Sequence, residues 1–302
     1  MNTSILKYGP LLFIISLFAI TLHPHPATAW EQTMTCNNRD IQCLPELSPL
    51  PVQWMKNCAP IHLNEEGYSK IPMTELQSAV EQSIEEWNKP QCAYFKLIYS
   101  GLTDENRVGY NPYIKNNGNI LVFREEQWEN SRTMMALTTV TQNAKTGELL
   151  DADIEFNATV YQFTNTENPK GTVDFKNTLT HELGHVIGIA HSDVVESTMF
   201  GYADKGENHK STLHDDDIEA ICNIYPMTEE NKNKTCKLKP DFYEKPDLPM
   251  NQPPPDDACT IKYPNTKPKN PPFLLILTLI TGLAIRQLRT EKKTKSGLKP
   301  KP

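Results

Sequence analysis

The sequence predicts an α+β domain, on three observations. Runs rich in β-branched and apolar residues gather in the middle of the chain, two of three helical patterns follow them, and regular patterning is confined to residues 53–226. Strands grouped ahead of helices point to an α+β arrangement rather than an alternating one. A stretch of about 170 residues is long enough for one domain with a sizeable core.

Taken in order, the first helix is predicted over Glu75–Trp87, where Leu76, Val80, Ile84 and Trp87 recur at helical spacing. Thr74 and Gln77 form a capping-box pattern after Pro72, and Pro90 stops the helix. Strands are predicted at Ala93–Tyr99, Ile120–Phe123, Leu137–Thr141 and Asp151–Phe156. The last two flank the hairpin-like turn Asn143-Ala144-Lys145-Thr146-Gly147. The second helix is predicted over Asp174–Ile187 and the third over Asp215–Tyr225, whose first turn places Asp215, Asp216 and Asp217 where negative charge suits the helix dipole.

The segments around this domain have other compositions. Residues 1–29 read as a secretory signal: Lys7 is the basic end, Leu11 to Leu22 the apolar stretch and Ala27-Thr28-Ala29 the cleavage site, so the exported chain begins at Trp30. Residues 30–52 form a short polar segment with Cys36 and Cys43. Residues 227–272 are rich in proline, with Pro253-Pro254-Pro255 and Pro271-Pro272, and read as an extended linker. An apolar run at 273–288 and a basic tail at 289–302 complete the chain. Of the net charge of −7, Lys7 gives +1 and the seven Lys/Arg of 286–302 less Glu291 give +6, leaving −14 on residues 30–285. A body so acidic argues against nucleic acid as a partner.

All seven cysteines follow the signal: Cys36, Cys43, Cys58, Cys92, Cys222, Cys236 and Cys259. An exported chain keeps disulfides oxidised, and an odd count leaves one thiol over. Up to three bridges are expected within residues 36–236, with Cys222 and Cys236 as a local pair.

The chemistry is carried by His181-Glu182-Leu183-Gly184-His185-Val186-Ile187-Gly188-Ile189-Ala190-His191. Residues four apart share one helix face, so His181 and His185 can present two imidazoles to one metal, with Glu182 beside the open position. Gly188 can take a left-handed backbone, end the helix and let His191 return as a third ligand. Three histidines leave the fourth position of zinc to water, the layout of a catalytic site, with Glu182 as general base. A bare H-E-x-x-H arises by chance, but the extended form also fixes Gly188 and His191.

This segment resembles the extended zinc signature of metzincins, and its surroundings are similar to the matrixin subfamily. Ser192 follows the third histidine, and Met199 of Ser197-Thr198-Met199-Phe200 stands at the position of the Met-turn methionine. Leu213-His214-Asp215-Asp216-Asp217-Ile218 and Ile224-Tyr225-Pro226 resemble the C-terminal helix of that family, and Asp151-Ala152-Asp153-Ile154-Glu155-Phe156 the strand at the cleft rim. The resemblance implies a twisted, mostly parallel sheet with one antiparallel edge strand, three helices and zinc at the cleft floor. It also implies cleavage of polypeptides, a Met199 side chain under the metal, and a neighbouring pocket for an apolar side chain after the cleaved bond. The chain departs from the family at Asp153, which replaces the rim-strand histidine of a structural zinc site. Asp151, Asp153 and Glu155 are candidates to hold calcium through oxygen ligands, the alternative being polar positions on a half-exposed strand. Gly201 stands where astacins carry a tyrosine ligand, so no tyrosine ligand is expected; Tyr202 is near enough to line the pocket, the alternative being a packed tyrosine. Cys36 and Cys43 lack the setting of a propeptide cysteine switch, which favours a bridge between them. His62, His209 and His214 have no partner at ligand spacing and read as structural or solvated.

The order of linker, apolar span and basic end resembles bacterial C-terminal sorting tails, one class of which, in myxobacteria and their relatives, carries a processing cysteine before the span. Cys259 fits that position; a plain single-pass anchor is the alternative, and in both the basic cluster faces the cytoplasm. The sequence therefore describes an exported, monomeric zinc endopeptidase held to a membrane by its C-terminal segment. A zinc-holding surface-binding module without catalysis is the competing reading, against which the presence of Glu182 speaks.

Overall fold

A computed structural model describes residues 29–35, 48–111, 118–166, 170–233 and 236, and the backbone of 258–264. Residues 1–28 of the signal segment, Cys36, Cys43 and the apolar run at 273–288 lie outside these residues. The elements, in chain order, are β1 (Cys58–Asn64), α1 (Met73–Asn88), β2 (Lys96–Thr103), β3 (Asn119–Arg124), β4 (Ala136–Asn143), β5 (Leu149–Asn157), β6 (Phe163–Thr164), β7 (Val173–Asp174), α2 (Phe175–Val186), α3 (Asp215–Ile224) and β8 (Ala258–Pro264). A single 3-10 turn at His209–Ser211 lies between α2 and α3.

Six strands make one sheet in the order β2-β1-β3-β5-β4-β8. β1 pairs parallel with β2 and β3, and β3 pairs parallel with β5. β4 runs antiparallel to β5 and so forms the antiparallel margin that the family resemblance implied. Two strands of this sheet escape the sequence reading, as do the two-residue β6 and β7. β1 is buried at all seven positions, which erases the period-2 alternation, and it carries Pro60, His62 and Asn64 where a strand pattern wants apolar residues. β8 falls within the stretch read as linker and pairs antiparallel with β4 over seven residues.

The core lies between the sheet and the helices. Phe123 and Phe156 stack at 4.8 Å, and Phe163 and Phe175 pack edge-on to Phe156. Helix α1 buries Leu76, Val80, Ile84 and Trp87, and the Trp87 indole donates to the Thr180 carbonyl of α2 at 2.8 Å. Its predicted capping box does not form: the helix begins at Met73 behind Pro72, and the Gln77 amide turns away to the Tyr99 hydroxyl at 3.1 Å. Helix α3 is capped by His214, whose Nδ1 accepts from Asp216 N while Asp217 accepts from His214 N. Just past it, the Tyr225 hydroxyl accepts from Trp54 N and donates to the Ile187 carbonyl, tying the end of α3 to the end of α2.

Two disulfides join parts far apart in sequence. Cys58 pairs with Cys236 and Cys92 with Cys222, across separations of 178 and 130 residues, with Cα–Cα distances of 5.5 and 5.3 Å. The local Cys222–Cys236 pair is thereby overturned. Folding brings Cys222 on α3 against the turn between α1 and β2, and leaves Cys236 beside the start of β1.

Candidate metal and catalytic centre

Helix α2 opens on Asp174, whose carboxylate accepts from Asn177 N at 2.8 Å, and it is buried along almost its whole length. It presents His181, Glu182 and His185. Past Val186 the chain turns on Gly188, at φ +93°, where a Cβ would meet the Val52 carbonyl oxygen at 2.6 Å. Only glycine takes that backbone and that contact without strain. The outgoing strand of chain is then held by residues 31–33: Thr33 N donates to Gly188 O and Ala190 N to Glu31 O. His191 returns to the helix, and the three histidines place one ring nitrogen each within 4.8 Å of one another.

The rings are set up to leave their outer nitrogens as lone pairs. The His181 Nδ1 lies 2.6 Å from Thr198 O and the His185 Nδ1 2.8 Å from Ile189 O. A carbonyl only accepts, so each Nδ1 carries the proton and each Nε2 is a base. The Nε2 of His181 is fully buried and has no protein partner. The Nε2 atoms of His185 and His191 are 3.2 Å apart. Two nitrogens each bound tetrahedrally to zinc at about 2.0–2.1 Å would stand about 3.3 Å apart, so this set fits that metal. Burial holds the charged forms of His181 and His185 well below the usual histidine range and brings His191 to about 4. Neutral imidazoles are what a metal requires.

Glu182 is fully buried beside them. The Thr138 hydroxyl of β4 donates to its Oε2 at 2.5 Å, while Oε1 has no protein partner. Burial pushes this carboxyl up to about 8, against the opposing Thr138 hydrogen bond and the positive charge of Lys210. Met199 is completely buried below α2. A Cβ on Gly184 would come within 2.1 Å of its Sδ, so the glycine between the two helical histidines is what lets the methionine approach.

Two further groups, which sequence reasoning passed over, hold this turn. Asp217 accepts from Ser197 Oγ, Thr198 N and Met199 N as well as from His214 N. Lys210, 1% exposed, donates from Nζ to the Phe200 and Tyr202 carbonyls at 2.7 and 2.5 Å. The acidic triplet read only as a dipole complement, and a lysine in a polar loop carries no signal of burial. Beside the turn a cleft of about 250 Å³ is lined by Thr133, Met135, Tyr161, Tyr202, Ala203, Asp204 and Lys205.

The calcium candidates do not assemble. Asp153 accepts from Ile120 N at 2.9 Å and Gly109 N at 2.6 Å and bonds to Asp151, and Glu155 pairs with Arg124 at 2.7 Å. Asp153 and Glu155 thereby hold the loop before β3 and the strand itself, while the buried Oδ2 of Asp151 has no hydrogen-bond partner. Among the described residues, the three histidines are the one group able to hold an ion. Cys259 lies on β8 opposite Gln142. His62 is buried on β1, His209 pairs with Glu207 and His214 caps α3.

Comparison with known proteins adds a family. The matrixin (peptidase M10) family model matches residues 53–226. A protein of Spodoptera frugiperda ascovirus 1a, named for matrix metalloproteinase, is 28% identical over 109 residues, 35% of this chain and 28% of that protein. Metalloendoproteinase 5-MMP of Arabidopsis thaliana is 42% identical over 53 residues, 18% of this chain and 14% of that protein. The matched stretches thus span under a third of either relative, and neither source is bacterial.

Proposed function

The chain belongs to the matrixin family, and on that premise we propose that it is an exported zinc-dependent endopeptidase. The observation that carries this reading is the convergence of three neutral imidazoles with a buried carboxylate whose Oε1 has no protein partner. His181, His185 and His191 would hold the zinc. When bound, the metal polarises the scissile carbonyl and lowers the pKa of water. Glu182 Oε1 takes the proton of the attacking water and passes it to the leaving amine, and Thr138 keeps the other oxygen in place. Thr198 and Ile189 fix the two ring orientations through their carbonyls, and Met199 supports the helix from below. The cleft beside Tyr202 and Met135 offers apolar walls to the side chain after the cleaved bond. Burial of one large apolar side chain contributes about 1–3 kcal/mol, a preference of tenfold or more.

The two disulfides are consistent with an oxidising compartment. Export through residues 1–29 and attachment through 273–288 are part of the same proposal. No helix among the described residues is long and apolar enough to cross a membrane, and 273–288 lies outside them.

The test is prolonged incubation of the purified full chain with an unfolded polypeptide. Cleavage should disappear with a zinc chelator and return with added zinc. Cleavage that ignores the chelator defeats the proposal, and stoichiometric zinc without any cleavage would transfer the chain to the binding-module reading.

A further inference from the structure

β4 has two sides. Met135 O accepts from Asn157 N at 2.8 Å, which places the carbonyl before β4 on the β5 side. Backbone groups alternate along a strand, so Leu137 and Thr139 face β5, while Thr138 and Val140 face the other way. Opposite them in the register stand Tyr263 and Ile261 of β8. Thr138 is also the residue whose hydroxyl holds Glu182. The outward row of β4 backbone groups, which includes that of Thr138, is therefore the row to which this chain's own segment is bound.

An extended peptide recruited to the centre would need that row. Strand addition takes free N–H and C=O groups along a sheet edge, and neighbouring strands stand about 4.8 Å apart. The opposite margin of the sheet, β2, is separated from β4 by β1, β3 and β5. With the chain order as it is, a peptide reaches Glu182 as a strand only by displacing β8.

We propose that Ala258–Pro264, paired antiparallel along the outer edge of β4, occupies the row an extended peptide would need and so holds the cleft closed. The inhibitory part rests on the peptidase reading above. Residues 237–257 tether the segment to Cys236, which is bridged to β1. A tether of that length keeps the occupant at an effective concentration on the order of millimolar, enough to compete with substrates of ordinary affinity.

The test uses the full chain and two single variants. Ile261→Pro removes the amide facing Val140, and Tyr263→Pro removes the one facing Thr138. In either variant, zinc content should stay at the parent level and kcat/KM toward a short peptide should rise tenfold or more. A synthetic peptide of residues 256–266 should inhibit the variant competitively and the parent hardly at all. Amide exchange at Thr138 and Val140 should be slow in the parent and fast in the variants, a readout that needs no activity. Unchanged exchange in both variants overturns the proposal, as does faster exchange with no gain in rate in proteins that do cleave. Faster exchange and peptide binding in proteins that cleave nothing would support the docking edge and count against the peptidase reading alone.

Discussion

The Asp217→Asn substitution tests how the centre is held from outside. Asp217 is fully buried and accepts four hydrogen bonds, two at each oxygen: Ser197 Oγ and Met199 N at Oδ1, Thr198 N and His214 N at Oδ2. Asparagine has the same shape but puts an NH2 against one of those pairs of donors. The cheaper orientation faces Ser197, and sets the new NH2 against the Met199 amide, which keeps only its bond to Ser197 Oγ at 3.0 Å. Two buried donors set against each other cost about 1–3 kcal/mol, and the two bonds left at the other oxygen lose their charge assistance. The sum is about 3 kcal/mol, which for a domain of this size lowers Tm by roughly 6–12 °C. The effect should reach the metal, because Thr198, held by Asp217 through its amide, receives the His181 Nδ1 proton at its carbonyl. Loss of such outer support weakens zinc binding by about 10–100-fold. Thermal melting and competition against a chelating dye measure both. A variant that melts within about 1 °C of the parent and binds zinc equally well would refute the reasoning.

Glu182→Gln keeps the three imidazoles and should bind zinc like the parent while cleavage falls by about 10²–10⁴-fold; an unchanged rate would remove Glu182 from the mechanism. Gly184→Ala forces a methyl against Met199 Sδ at 2.1 Å and the Trp87 ring at 2.9 Å, and by overpacking should cost about 1–3 kcal/mol with visible loss of zinc. Asp151→Asn tests the buried carboxyl pair on β5: burial raises both acids, Asp153 to about 6, so folding takes up a proton. The stability this contributes is fully present below the unfolded value near 3.8 and is lost as pH rises through about 6. The variant should therefore raise Tm at neutral pH and flatten that slope, and an unchanged slope would contradict the pairing. Replacing Cys92 and Cys222 together with serine should cost about 2–4 kcal/mol, and peptide mapping of the parent should return Cys92–Cys222 and Cys58–Cys236 rather than any Cys222–Cys236 fragment.

The helices were largely legible because their patterns are local. Asp174 opens α2 through its side chain and Gly188 closes it through its backbone, each acting within a turn. The predicted strand at Asp151–Phe156 lies inside β5 because the hairpin turn before it is also a local signal. Prediction failed where partners are distant. β1 has no alternation to read, since strands lie on both sides of it and its faces are both covered. The capping box of Thr74 and Gln77 had the right letters, yet Gln77 found Tyr99 from another strand.

The sequence alone picked out the three histidines that the structure brings together and the carboxylate beside them. Spacing of four on a helix and a glycine that permits the return of the chain are enough to place three imidazoles and one carboxylate in one neighbourhood. Tertiary structure decided what no spacing encodes. It turned Asp217 and Lys210 inward to hold the Met199 turn, tied Asp153 to Ile120 and Glu155 to Arg124, chose the cysteine partners, and laid residues 258–264 along β4. These pairings span from eight positions, for Lys210 and Tyr202, to 178, for Cys58 and Cys236, and they follow from which surfaces meet when the sheet and helices close on a common core.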